Sequence, residues 1–383
     1  MKKFFAVLLV CLLALSAFAG CGEKKDDNTT GAATIKIGGI GPLTGDYSTY
    51  GKSVQQGAQV AVDEINAAGG VNGYNFELLF EDDQADPEKA VNAYAKLMDD
   101  GMQVSLGAVT SGACVAVTEE VVKDGLLMLT PSGSQLECTQ YDNCFRLCFQ
   151  DPDQGKYSAD FIKENNIGTK VAVLYEKSND YSVGIYDSFM AEAEKVGLEV
   201  VTTQAFTDQS NTDFSVQLQA VKSAGADVLF LPIYAQEAAY ILTQADSIDL
   251  DVTFFGVDGL DGIIEKIGAE NVALTEGVML LTPFAADSAE ANVKAFVEAY
   301  KSAYNATPDQ FAADAYDAIY TIKAAIEKSG LTPDDEGFNE GLVKAMTEIT
   351  VDGVTGTMTW TADGECEKTA TAVVIKDGAY VAY

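Results

Sequence analysis

The hydrophobic pattern of this chain changes period repeatedly, and those changes outline its elements. Lys2 and Lys3 precede an apolar run, Phe4–Leu15, followed by small residues ending at Ala19, Gly20 and Cys21. Beyond a polar stretch at 22–32, β-branched runs alternate with segments whose apolar residues recur every three or four positions. Thr34–Ile40 predicts a strand, broken by Gly-Pro-Leu-Thr-Gly at 41–45. Val54, Ala58, Ala61, Val62 and Ile65 predict a helix from about Gly51 to Ala68, ended by Gly69-Gly70. Asn75–Phe80, Val104–Leu106 and Leu126–Leu129 read as further strands, with helices from Pro87 to Asp99 and from about Ala113 to Lys123. A second series begins near Asp151. Its strands are Lys170–Tyr175, Glu199–Ala205, Asp227–Pro232 and Thr253–Val257, and its helices lie at about 153–165, 182–196, 213–224 and 235–247. After Leu280–Pro283 come three helices, near 288–304, 309–329 and 337–347. A strand-like tail follows at Gly356–Trp360, Thr371–Ile375 and Ala379–Tyr383, with Asp377-Gly378 as a hairpin turn. Strand–helix alternation at this spacing predicts an α/β fold of two doubly wound parallel-sheet lobes.

The first apolar run is too short to cross a bilayer, which needs about 20 apolar residues. With its two lysines and small-residue end it reads as a secretory signal over 1–20. The cysteine after small residues resembles a bacterial lipobox, which implies lipidation of Cys21 and a flexible tether over 21–32; plain cleavage after Ala17-Phe18-Ala19 is the alternative. Either way the expectation is an extracytoplasmic protein, anchored to the cell membrane by lipid in the first case.

Composition narrows the chemistry. The formal charge is −34, which disfavours nucleic acid and anionic lipid surfaces as partners. Histidine is absent, which removes Ser-His-Asp and Cys-His catalysis and histidine metal sites. Arg146 is the sole arginine, so a ligand held by several guanidinium forks is disfavoured. The seven cysteines follow no zinc spacing, and no cofactor is expected. Cys138 and Cys144 enclose a short loop that a disulfide could clip; buried free thiols are the alternative.

Several segments carry a resemblance. The opening IGGIGPLTGDYSTYGKSVQQGAQVAVDEINAAGGVNGY, then EDDQADPEKAVNAYAKLM, LGAVTSGACVAV, LMLTPSGSQLE, DPDQG, YEKSNDYSVG and TGTMTWTADGE, in that order, resemble the solute-binding proteins of branched-chain amino acid ABC transporters, the leucine/isoleucine/valine-binding type. The resemblance implies the type I periplasmic-binding fold, with two lobes joined by a three-crossover hinge at about 148–152, 281–284 and 356–360. Lobe I would combine 33–149 with 283–357, and lobe II 150–282 with 358–383.

A free amino acid is a zwitterion with a variable side chain. Its binder needs hydroxyl or N–H donors for the carboxylate, an acid for the ammonium and an apolar wall for the rest. In open α/β sheets such groups gather where strands end and helices begin. Ser111 opens the helix after the third strand, and Ser132 and Ser134 follow the fourth, so these serines either seat an anion or only cap helices. The resemblance implies that Ser111 and Ser134 take the carboxylate by hydroxyls, with backbone from Ser132. It implies that Asp258 receives the ammonium, and that Tyr50, Tyr181 and Tyr234 form the aromatic walls. Asp261 competes with Asp258, Glu237 is a second acid at the cleft edge, and Phe311 and Tyr316 would edge the side-chain pocket. The expected function is a substrate-binding lipoprotein that hands an extracellular amino acid to ABC permease subunits. A sensory binding module for amino acids or amides is the alternative. An enzyme is not expected, since no nucleophile–base constellation is present.

Overall fold

The computed structural model describes residues 33–368 and 370–383. The expected signal segment 1–20, the lipidation residue Cys21 and the tether 21–32 lie outside the described residues. The strands fall into two main sheets. The first contains β1 (Ala33–Gly41), β2 (Tyr74–Asp82), β3 (Val104–Ala108), β4 (Met128–Thr130) and β5 (Cys144–Arg146), in the order β2-β1-β3-β4-β5. β1, β3, β4 and β5 run parallel. Such strands need crossover helices, supplied here by α1 (Ser48–Ala67), α2 (Pro87–Asp99) and α3 (Ser111–Asp124).

The second sheet is built by β6 (Lys170–Glu176), β7 (Glu199–Phe206), β8 (Val228–Leu231), β9 (Thr253–Gly256) and β10 (Met279–Thr282), all parallel. Their helices are α4 (Asp151–Glu164), α5 (Asp180–Val196), α6 (Ser215–Ala224), α7 (Ala235–Ser247) and the short α8 (Ile263–Lys266). Then come α9 (Ala291–Tyr304), α10 (Gln310–Ser329) and α11 (Phe338–Met346), and a small hairpin of β11 (Val351–Gly353) and β12 (Gly356–Met358). Two antiparallel strands, β13 (Thr371–Lys376) and β14 (Ala379–Ala382), close the second sheet in the order β14-β13-β10-β9-β8-β6-β7.

Local chemistry explains the helix ends. Asp86 caps α2 by accepting from the amides of Glu88 and Lys89, with Pro87 at the first helical position and Lys96 in the last turn. Asp309 caps α10 by accepting from Ala312 N, and Gly330 ends it at φ 69°. The inner strand β8 (Val-Leu-Phe-Leu) is apolar and buried at every position, as expected for a parallel strand covered on both faces. Each such Leu or Phe contributes roughly 1.5–3 kcal/mol of burial.

α1 and α10 approach closely because Gly57 has no side chain. A Cβ there would run into the carbonyl of Ala312 on α10. Gly57→Ala, which improves intrinsic helix propensity, is therefore expected to destabilise the protein by about 1–3 kcal/mol through overpacking. Urea unfolding reads this, and a midpoint at or above wild type would contradict the close approach.

The structure changes one expectation and decides another. The strand near 356–360 does not enter the second sheet: Gly356–Met358 pairs with Val351–Gly353. The following residues stay with the first sheet, since Trp360 Nε1 donates to Arg146 O at 2.8 Å and Arg146 N to Gly364 O at 3.0 Å. The chain joins the second sheet only at Thr371, paired with Thr282. Cys138 and Cys144 are free, buried thiols. Cys144 belongs to β5 and packs in the core under α3, while Cys138 lies beside Cys114 and Ser111 O instead. β5 is an addition: its three residues are too few to show a period in the sequence.

Candidate functional site

The site is built where β3 and β4 end. α3 starts at Ser111, and its preceding residue Thr110 is extended and makes no side-chain cap, leaving the first-turn amides unshared by a cap. Ser111 Oγ accepts from Ser134 N at 3.2 Å and Gln135 N at 3.3 Å, and it lies 3.3 Å from Ser134 Oγ. The two loops thus present their hydroxyls side by side. Ser132 Oγ is committed elsewhere, donating to Val109 O at 2.8 Å, so what Ser132 offers a ligand is backbone.

Arg146 holds the second loop in shape. It is fully buried, and its guanidinium donates to Gly133 O at 3.1 Å, Gln135 O at 3.0 Å and Leu136 O at 3.2 Å. Its Nε lies 2.8 Å from Glu365 Oε2. The carbonyls on both sides of Ser134 are thereby fixed. The arginine serves the scaffold and does not line the cavity.

Asp258 follows β9 and is buried. Its Oδ1 accepts from Tyr181 Oη at 2.5 Å and Gly259 N at 2.7 Å. Its backbone is held by two glutamines: Asp258 N donates to Gln154 Oε1 at 3.2 Å, and Gln310 Nε2 donates to Asp258 O at 3.2 Å. Burial, opposed by the Tyr181 and Gly259 hydrogen bonds, leaves the carboxyl raised to about 6.

The walls are aromatic. Tyr181 and Tyr234 stack at 4.8 Å with an interplanar angle of 5°. Tyr50, from α1, tilts against Tyr234 at 5.6 Å and against Phe311 at 4.8 Å. The Tyr50 hydroxyl reaches the opposite half: it donates to Gly259 O at 2.6 Å and accepts from Ala235 N at 2.8 Å.

Tyr50, Ser111, Ser132, Ser134, Tyr181, Tyr234 and Asp258 therefore line one cavity, together with Phe311. Val109, Thr110 and Gly259 complete it. Its free space is about 20 Å³, room for about one water, so the two halves are drawn together around it. One end carries hydroxyls and a helix N-terminus, the other a carboxylate, with tyrosine faces between. No step of covalent chemistry suggests itself. Among the described residues no group of three His, Cys, Asp or Glu is placed to hold a metal.

The other sequence candidates fall outside the cavity. Glu237 accepts from Tyr47 Oη and Asn211 Nδ2, each at 3.1 Å, between the halves rather than on the cavity wall. Tyr316 Oη donates to Glu64 at 2.6 Å, away from the site. Asp261 faces a different cavity. Sequence reasoning missed Gln154 and Gln310. Gln154 sits in the quoted DPDQG segment, so that segment was the available signal; nothing marks Gln310 in the sequence.

A family model described as periplasmic binding protein matches residues 34–379. The chain belongs to that family. This periplasmic binding protein is 32% identical over 336 residues to the "Leu/Ile/Val-binding protein homolog 3" of Brucella melitensis, covering 87% of this chain and 89% of the relative. It is 30% identical to the leucine-, isoleucine-, valine-, threonine- and alanine-binding protein of Pseudomonas aeruginosa, covering 93% and 92%. Among solved structures it is similar to the branched-chain amino acid transporter substrate binding protein LivJ of Streptococcus pneumoniae in complex with isoleucine. The TM-score is 0.83 at 30% identity, covering 91% of this chain and 98% of that one. These likenesses place the chain among type I periplasmic binding folds, a family of binding proteins rather than enzymes.

Proposed function

We propose that this protein is the substrate-binding component of an ABC importer, and that it captures a free amino acid of branched-chain type outside the cytoplasm and delivers it to the permease subunits. The relatives' names support the ligand class. The observation that carries the reading is that Ser111 and Ser134 line the same cavity as Asp258, with tyrosine faces between them. In this reading the ligand carboxylate meets the two hydroxyls and the start of α3, its ammonium meets Asp258, and its side chain lies against Tyr50, Tyr234 and Phe311. The half built on the first sheet and the half built on the second act as lobes, and crossings near 148–152 and 281–284, with a third between the segment tied to Arg146 and β13, act as the hinge. Opening there admits the ligand and closure excludes water. Cys21 carries the lipid that tethers the mature chain to the membrane.

Calorimetric titration with leucine, isoleucine and valine tests the assignment, and no heat of binding for any of the three would overturn it. The Asp258 carboxyl sets the pH dependence. Raised to about 6 by burial, it is ionised at pH 7 and takes up a proton as pH falls through about 6, when that proton competes with the ligand ammonium. Affinity should hold above this point and fall below it, by up to about tenfold per pH unit. An affinity constant between pH 7 and pH 4 would remove Asp258 from the ammonium's contact.

A further inference from the structure

The turn that carries Asp258 is gripped from the other half of the molecule at three points. Asp258–Leu260 forms a short helical turn after β9 of the second sheet, and Asp261 N closes it by donating to Asp258 O at 2.9 Å. α10 packs against α1, a crossover helix of the first sheet. Its first residue, Gln310, is 1% exposed and spends both of its nitrogens on this turn. Gln310 Nε2 donates to Asp258 O at 3.2 Å, and Gln310 N donates to Asp261 Oδ2 at 3.0 Å. Between these two bonds, Tyr50 Oη of α1 donates to Gly259 O at 2.6 Å.

None of the three bonds uses the Asp258 carboxylate. Its Oδ1 accepts from Tyr181 Oη and Gly259 N, both of its own half. The grip therefore fixes where the carboxylate stands without consuming it. A glutamine suits the position chemically. Its amide donates to a carbonyl and adds no charge beside Asp258 and Asp261, whereas an ionised glutamate of the same length has no donor to offer. The backbone bond has its own logic. The first amide of a helix has no intrahelical partner and carries part of the helix's positive end, so a carboxylate is a favourable acceptor. Asp309 supplies one such acceptor from the same chain end, to Ala312 N. Asp261 supplies the other from across the halves.

We propose that Gln310 is a positioning residue for ligand capture: it ties the meeting of the two halves to the placement of the Asp258 carboxylate, and so governs how long a bound amino acid is held. This role rests on the transport reading given above. Bonds across the halves form only as the halves meet, so their loss shows in release rather than in capture.

Stopped-flow tyrosine fluorescence over a series of leucine concentrations tests this, the slope giving the association rate and the intercept the dissociation rate. Gln310→Met keeps the length and removes the donor; it should raise the dissociation rate about tenfold and leave the association rate within about twofold of wild type. Asp261→Ala removes the other acceptor and should also raise the dissociation rate several-fold, which keeps the question decidable should Gln310→Met fold poorly. Asp261→Asn, which retains an oxygen for Gln310 N, should recover most of that loss. In an Asp258→Asn background the effect of Gln310→Met should shrink to about twofold or less, because the carboxylate it places is gone. A residue serving the fold alone would lower the urea midpoint and leave the dissociation rate unmoved. Wild-type dissociation rates in both Gln310→Met and Asp261→Ala would overturn the proposal, as would a loss carried by the association rate or a full effect in the Asp258→Asn background. A wild type that binds none of leucine, isoleucine and valine would instead overturn the transport reading, and this role with it.

Discussion

Asp258→Asn should weaken leucine binding by about a hundredfold or more and leave the far-UV circular dichroism unchanged. Asparagine keeps the shape of the side chain and an oxygen for Tyr181 Oη and Gly259 N, which now sit 2.5 Å and 2.7 Å from Oδ1. The backbone grip of Gln154 and Gln310 is also unaffected. What disappears is the charge. In a closed, dry cavity an ammonium without its carboxylate remains desolvated and unpaired, a loss of about 2–5 kcal/mol. The same variant should lose the weakening below pH 6, because nothing is left there to take up the proton. Isothermal titration gives both answers. A dissociation constant close to wild type would show that the ammonium is received elsewhere, and the orientation of the ligand proposed here would have to be reversed.

The second large effect is on stability. Arg146→Leu removes the only guanidinium in the chain and leaves the carbonyls of Gly133, Gln135 and Leu136 without their donor. Glu365, 2.8 Å from Nε, loses its counter-charge. Glu365 keeps some solvent, so its lost partner costs less than in a fully buried pair, but the three carbonyls lose their donor as well, and together these cost about 3 kcal/mol. Urea or thermal unfolding should show a loss of that size. Leucine affinity should fall as well, since the carbonyls on either side of Ser134 would no longer be fixed. Arg146→Lys should recover only part of the loss, a single ammonium being unable to reach several carbonyls in a fixed fork. An unfolding midpoint unchanged in Arg146→Leu would show that the loop shapes itself without the arginine.

Much of this molecule is legible in its sequence, for identifiable reasons. Strands such as Val228–Leu231 are apolar at every position because helices cover both faces, so they stand out from the helices beside them. Ser111, Ser134 and Asp258 stand out as candidates because strand ends in open α/β sheets are few and each holds only a handful of polar residues, and the family resemblance gives them their proposed roles. The parts that escaped depend on distant pairing. β5 is three residues long and exists because Met128–Thr130 lies beside it. Gly356–Trp360 reads as a strand at the crossover into the second lobe, yet Trp360 and Glu365 tie this part of the chain to Arg146, more than two hundred positions away. For the same reason the sequence left a Cys138–Cys144 disulfide and free buried thiols both open. Six positions of sequence suggested a clip, whereas the fold turns Cys144 into the core and sets Cys138 beside Cys114. Glu237 shows the limit of reading acids near a helix start, because only the position of Tyr47 reveals that it bridges the halves instead of facing the cavity.

The hydroxyl of Tyr50 has one more consequence. It donates to Gly259 O and accepts from Ala235 N, so one phenol stitches a helix of the first half to two separate loops of the second. The stitch draws on neither the Ser111–Ser134 pair nor the Asp258 carboxylate, and Tyr50→Phe would cut it while leaving the aromatic face in place.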